Sequence, residues 1–135
     1  MSSERNFLAL ADFLIPAHGG MPKFSDACSY ADAERALDFR ADLKEGFKRG
    51  LAAELADGAE PHLETLNRED GEAFTAVTTI VIATYYMNPG VRALIGYPGQ
   101  ENVTYDSKAT QVYLTDGSLA RVVARGRKYR PTPGL

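Results

Sequence analysis

A chain of 135 residues with 44% hydrophobic side chains supports one core, since a chain this long buries roughly 68% of its unfolded surface around a single centre. Its 24% charged residues, single cysteine and two histidines, with a mean hydropathy of -0.26, exclude four classes: a disordered tail, an integral membrane protein, an internally disulfide-bonded domain and an all-protein zinc or iron-sulfur site. A net charge of -3 and an isoelectric point near 5.4, with no aromatic platform or helix-turn-helix pattern, argue against nucleic acid as a partner.

From about Glu4 to Ile15, Phe7, Leu10, Ala11 and Leu14 recur at helical spacing, and Pro16 stops the run. This predicts a short first helix. The opening Met1-Ser2-Ser3-Glu4-Arg5-Asn6 carries no basic segment feeding an apolar one and no twin arginine, so no export signal is expected. That leaves two expected locations: the cytoplasm, or the periplasm by co-export with a partner that bears a signal. Pro16 to Pro22 holds two prolines and two glycines in seven residues, which predicts a loop.

From Asp26 or Ser29 to about Ala56 the composition predicts a long helix or helix pair, with Ala33, Ala36, Leu37, Phe47, Leu51 and Leu55 on its apolar face and Asp57-Gly58 as its end. Gly46 and Gly50 within it predict a bend or close packing. Asp32, Glu34, Asp38, Asp42 and Glu45 interleave with Arg35, Arg40 and Lys44 as on an exposed face. His62 to Leu66 is read as a further helical turn, and Asn67 to Asp70 as an N-terminal cap for the next segment.

No charged residue occurs between Ala73 and Val91. The unbroken part before Asn88-Pro89-Gly90 is short of the roughly 20 apolar residues a bilayer crossing needs, and Phe74, Val77, Val81 and Tyr85 keep a helical stripe, so a buried helix is predicted with no direct membrane span. A helix apolar on all sides must be covered on all sides. Neighbours within a small domain cover about half of it, and the remainder calls for a partner protein.

Val91 to Ile95 reads as a short helix closed by Gly96-Tyr97-Pro98-Gly99. Beyond Gln100 two β-prone runs flank Asp116-Gly117, a β-hairpin signal. Arg121, Arg125, Arg127, Lys128 and Arg130 fall within ten positions, and the last residues, Arg130 to Leu135, form neither helix nor central strand. The expectation is therefore a mainly α protein. Residues 1-99 form a small helical domain around a central apolar helix, and residues 100-135 an extended basic arm with little core of its own, laid along something else.

No catalytic constellation is read. Cys28 has no local support as a thiolate paired with His18 or His62, and Gly96 to Gly99 lacks the strand and lysine of a phosphate loop. No catalytic, cofactor-binding or metal-ligating residue is assigned.

Phe7-Leu8-Ala9-Leu10-Ala11-Asp12-Phe13-Leu14-Ile15-Pro16-Ala17, followed by Gly20-Met21-Pro22 and Ser25-Asp26-Ala27, resembles the opening of the gluconate 2-dehydrogenase subunit 3 family. Thr78 to Tyr86 with Asn88-Pro89, and Leu94-Ile95-Gly96-Tyr97-Pro98-Gly99, are similar to that family's late helix and its closure. The blocks bracket residues 7-99 and leave the arm uncovered. The resemblance implies a small, cofactor-free subunit of an FAD-dependent sugar or polyol dehydrogenase of the glucose-methanol-choline type. In such complexes FAD and hydride abstraction reside in the large subunit, a cytochrome c subunit often takes the electrons, and the small subunit stabilises and matures the large one. This chain departs from the family in lacking a twin-arginine signal. On the joint reading, Phe74, Val81, Tyr85, Tyr86, Tyr97 and Pro98 in the domain, and Tyr113, Arg125 and Tyr129 in the arm, are the expected partner-binding residues, the first four contributing to the core or the interface. Two other classes are kept beside it: a self-associating helical scaffold, and a small stand-alone enzyme using His18 or His62.

Overall fold

A computed structural model of the chain describes residues 2-102, 104-107, 109 and 111-128. The described residues are mainly helical and contain no strand. They divide into two compact units, Met1–Gly99 and Gln100–Leu135.

In the first unit, α1 spans Ser2–Leu14. Its buried residues Phe7, Leu10 and Ala11 follow the i, i+3, i+4 spacing of one helical face. Asp12, one turn before the stop at Pro16, accepts hydrogen bonds from the Ser25 backbone N–H (2.7 Å), the Ser25 hydroxyl (2.8 Å) and Lys23 Nζ (3.3 Å). Partial burial pushes the Asp12 carboxyl up, but these bonds from Ser25 and Lys23 outweigh it and hold the group below its usual range. They tie the loop and the four-residue helix α2, Phe24–Ala27, to α1. Phe24 thereby enters the core edge-on to Phe7, with ring centroids 5.4 Å apart.

The predicted long helix is a pair of helices. The first, α3, spans Tyr30–Phe39 and starts in a capping box between Ser29 and Asp32. A 3-10 turn, Ala41–Leu43, then leads into α4, Lys44–Ala52. The break falls at Arg40, which leaves the helical backbone (φ -130°, ψ 61°) as its N–H closes α3 on the Leu37 carbonyl (3.2 Å); its guanidinium pairs with Asp42 two residues on (2.8 and 2.9 Å). The end of α4 comes at Ala52 and not at Asp57-Gly58, because Asn6 of α1 donates its side-chain amide to the carbonyls of Leu51 and Ala53. Next come α5, Ala59–Glu69, and α6, Gly71–Met87. Asp70 caps α6 by accepting from the Ala73 N–H (3.1 Å), and Arg49 of α4 holds the same carboxylate (2.9 Å).

The central helix is α6, packed against α1, α3, α4 and α5. The two glycines of α4 are where it comes closest. A Cβ on Gly50 would lie 2.5 Å from Val77 Cγ2, and one on Gly46 would lie 3.1 Å from both Ala76 Cβ and the Glu72 carbonyl oxygen. Seven residues of α6 are buried: Ala73, Ala76, Val77, Ile80, Val81, Thr84 and Tyr85. The remaining face is only partly covered within this unit. Its outward stripe begins with threonines: Thr75 is exposed and Thr79 half-buried, so that side is uncharged but not apolar until Ile82.

A short helix α7, Pro89–Leu94, follows a cap in which Asn88 Oδ1 accepts from the N–H groups of Gly90 (2.8 Å) and Val91 (3.1 Å).

In the second unit a 3-10 turn, Val112–Leu114, precedes α8, Ala120–Arg125. The hairpin expected at Asp116-Gly117 does not form among the described residues. The Asp116 N–H bonds back to the Val112 carbonyl, and its carboxylate accepts from the Ser118 N–H (2.8 Å), so local bonds coil the chain where strands would have to run on. No described residue of this unit is buried.

Candidate partner-facing surface

The large exposed apolar side chains of the first unit concentrate where α6 ends and α7 begins. The outward stripe of α6 passes from Thr75 and Thr79 to Ile82 and Tyr86, with Met87 beside it, and Tyr86 and Met87 are each about half exposed (51% and 50%). Tyr86 stands edge-on to Tyr85, centroids 5.4 Å apart. In α7 only Val91 is buried, so it is the one anchor of that helix, and Leu94, Ile95 and Tyr97 remain in solvent. Gly96 (φ +68°) and Gly99 (φ +88°) occupy the left-handed region that favours glycine, and they fold the closing segment back so that the Arg92 guanidinium lies over the Tyr97 ring at 5.4 Å. On α3, Phe39 is 77% exposed.

The expected partner residues divide accordingly. Tyr86, Tyr97 and Pro98 are on the surface, and so are Tyr113 and Arg125 in the second unit. Phe74 is half-buried against the core. Of the two placements expected for them, core or interface, Val81 and Tyr85 take the core: they face α6's own neighbours. Tyr85 donates its hydroxyl to the Pro22 carbonyl (2.6 Å), and burial, then Tyr86 and Cys28, push its phenol up from the usual tyrosine range. Tyr129 lies outside the described residues. Sequence reasoning missed Phe39, Ile82, Leu94 and Ile95. The outward phase of Ile82 could have been counted from Val77 and Val81, whereas Phe39, alone between Asp38 and Arg40, gave no periodic signal.

The two histidines are not brought into an acid-base pair. His62 Nε2 lies 2.8 Å from the Gly50 carbonyl; a carbonyl only accepts, so this nitrogen carries a proton and ties α5 to α4. His18 sits in the loop, its backbone paired with Met21. Cys28 is buried, its thiol 3.7 Å from the Thr84 carbonyl oxygen. Burial, and then the charge of Asp32, push that thiol up, against a smaller opposing pull from Asn88, so it is a weak nucleophile at neutral pH. Among the described residues no cluster of histidine, cysteine, aspartate and glutamate could hold a metal ion, and no helix is long and apolar enough to cross a membrane. What the exposed apolar side chains offer is surface for contact with a partner.

Comparison with known proteins finds no family model, no curated protein and no solved structure that matches this chain.

Proposed function

We propose that this chain is the non-catalytic small subunit of an FAD-dependent sugar or polyol dehydrogenase of the glucose-methanol-choline type, holding the flavin-bearing large subunit in its mature form. The observation that carries the reading is the set Ile82, Tyr86, Met87, Leu94, Ile95 and Tyr97, exposed together at the α6–α7 end of a domain whose core is otherwise enclosed. Aromatic and methionine side chains clustered on a surface mark interfaces. The resemblance of residues 7-27 and 78-99 to the gluconate 2-dehydrogenase subunit 3 family supplies the identity of the partner. On this reading hydride abstraction belongs to the large subunit, a cytochrome c subunit is a further candidate partner, and the chain either leaves the cytoplasm with a signal-bearing partner or works inside.

The test is co-expression with the genetic neighbours of this chain, followed by affinity purification. A yellow, FAD-bearing protein should co-elute, and Tyr86→Asp should reduce its yield about tenfold or more, since a buried unpaired charge at an interface is strongly unfavourable. If the dehydrogenase is made and active to the same extent without this chain, the proposal fails. If the chain elutes only as a homo-oligomer, the same surface serves self-association.

A further inference from the structure

We propose that Arg92 is the anchor of the α6–α7 surface, and that the partner covering this surface presents an aspartate or glutamate carboxylate to it. The inference rests on the reading of that surface as the face toward the flavin-bearing subunit, and it names the chemistry that the subunit must offer there.

The charge of Arg92 stands alone. No lysine or arginine other than Arg92 lies between Arg68 and Lys108, and no aspartate or glutamate between Glu72 and Glu101. Among the described residues of the first unit, every lysine and arginine except Arg5 and Arg92 has a carboxylate partner. Arg5 is exposed, whereas Arg92 is half-buried and its Nε is enclosed with no hydrogen-bond partner. A cation drawn partly out of water without a counter-ion is unfavourable, and a long side chain on a surface helix would ordinarily escape by swinging outward.

The closing segment prevents that escape. The Tyr97 N–H donates to the Arg92 carbonyl (2.9 Å), and the Tyr97 ring stacks on the guanidinium at 5.4 Å. Gly99 lies so close to Nη2 that a Cβ there would stand 2.5 Å from it. The guanidinium is therefore ordered before any partner arrives, which lowers the entropy lost on binding. Its outer edge is free: Nη1 and Nη2 are neither enclosed nor bonded among the described residues. Their fork of N–H groups matches the two oxygens of one carboxylate.

The single charge also selects among anions. A phosphate group carries nearly two negative charges, and an anionic bilayer or a nucleic acid calls for several cations within reach, whereas one carboxylate is balanced by Arg92 alone. Leu94, Ile95 and Tyr97, exposed on the same segment, would keep water from the pair once covered, the setting in which an interfacial arginine dominates binding.

The experiment is co-expression of the full-length chain with its genetic neighbours, comparing Arg92→Met, Arg92→Lys and Arg5→Met, each checked for folding by a circular dichroism melt. Flavoprotein retained per mole of chain should fall about tenfold or more in Arg92→Met, which keeps an apolar stem and removes the charge, and should stay within about twofold in Arg5→Met. In the complex of Arg92→Lys, a carbodiimide, which joins an amine to a carboxylate in contact with it, should link position 92 to an aspartate or glutamate of the flavoprotein, as read by mass spectrometry. That link decides the matter should Arg92→Met not fold. Undiminished retention of the flavoprotein by folded Arg92→Met, a position 92 that links to no carboxylate, or one that links to a second copy of this chain would each overturn the proposal and leave the small-subunit reading standing. If no flavoprotein co-elutes with the unsubstituted chain, that reading and this proposal fall together.

Discussion

Single atoms decide how α6 is held. Gly50 faces Val77, and a methyl group at Gly50 would stand 2.5 Å from a γ-methyl that is itself fully enclosed and β-branched. Gly50→Ala gains about 1 kcal/mol of helix propensity, but overpacking a rigid contact costs about 1–3 kcal/mol, and so close an approach places it at the upper end. A lower urea midpoint with unchanged slope is the expected result. Tyr85→Phe removes only the oxygen bonded to Pro22 and should destabilise by about 1 kcal/mol. The sign with pH is also set: the folded state favours the neutral phenol, so stability is complete below the ordinary tyrosine value of 10.0 and declines above it. Tyr85→Phe should flatten that alkaline limb in a series of melts. Tyr85→Asp, by contrast, puts a charge in the core and should unfold the domain, which is why Tyr86 and not Tyr85 is the residue to test at the partner surface.

At the scale of elements, the start of α6 depends on one carboxylate with two duties. Asp70 accepts from the Ala73 N–H and pairs with Arg49, and these bonds, Arg49's foremost, bring its pKa down to about 2. The contribution is complete above the ordinary aspartate value of 3.8 and drains away as pH falls from there toward 2. Asp70→Asn should therefore lower the melting temperature at pH 7 and bring it nearer to that of the unsubstituted protein at pH 2, as followed by circular dichroism. This cap was readable only in part, since Asp70 caps α6 while Asn67, read with it, lies inside α5; α1 with its stop at Pro16, the buried run of α6 and a bend or close packing at Gly46 and Gly50 were legible because each is written in neighbouring residues. The end of α4 was not: it is set by Asn6, 47 positions from Ala53. The hairpin reading failed for a related reason, since propensity for strand near Asp116-Gly117 has no partner strand to act on and the aspartate's own bonds prevail. Of the candidate surface, Tyr86 and Tyr97 were legible as aromatics beside an apolar run, while Phe39 depends on which helix packs where.

For the whole molecule, enclosure is uneven. The first unit has a core in which the Phe7 ring meets those of Phe24, Tyr30 and Phe47 at 5.4–5.5 Å. The second unit, where Tyr105, Val112, Leu114 and Val123 are exposed, buries nothing among its described residues. A chain ending at Gly99 should accordingly keep the melting temperature of the full protein within a few degrees, since none of the arm's described residues is buried. Loss of cooperative melting in that shortened chain would show that the arm does supply core.

Arg121 and Arg125 stand in solvent on a six-residue helix with no buried side chain, an open invitation to trypsin. Digestion of the isolated chain should shave this end in minutes and leave a resistant fragment running through Gly99. Any molecule that sits over the arm in the cell would shield those two peptide bonds, so their survival in a crude extract reads out how much of the chain is already engaged.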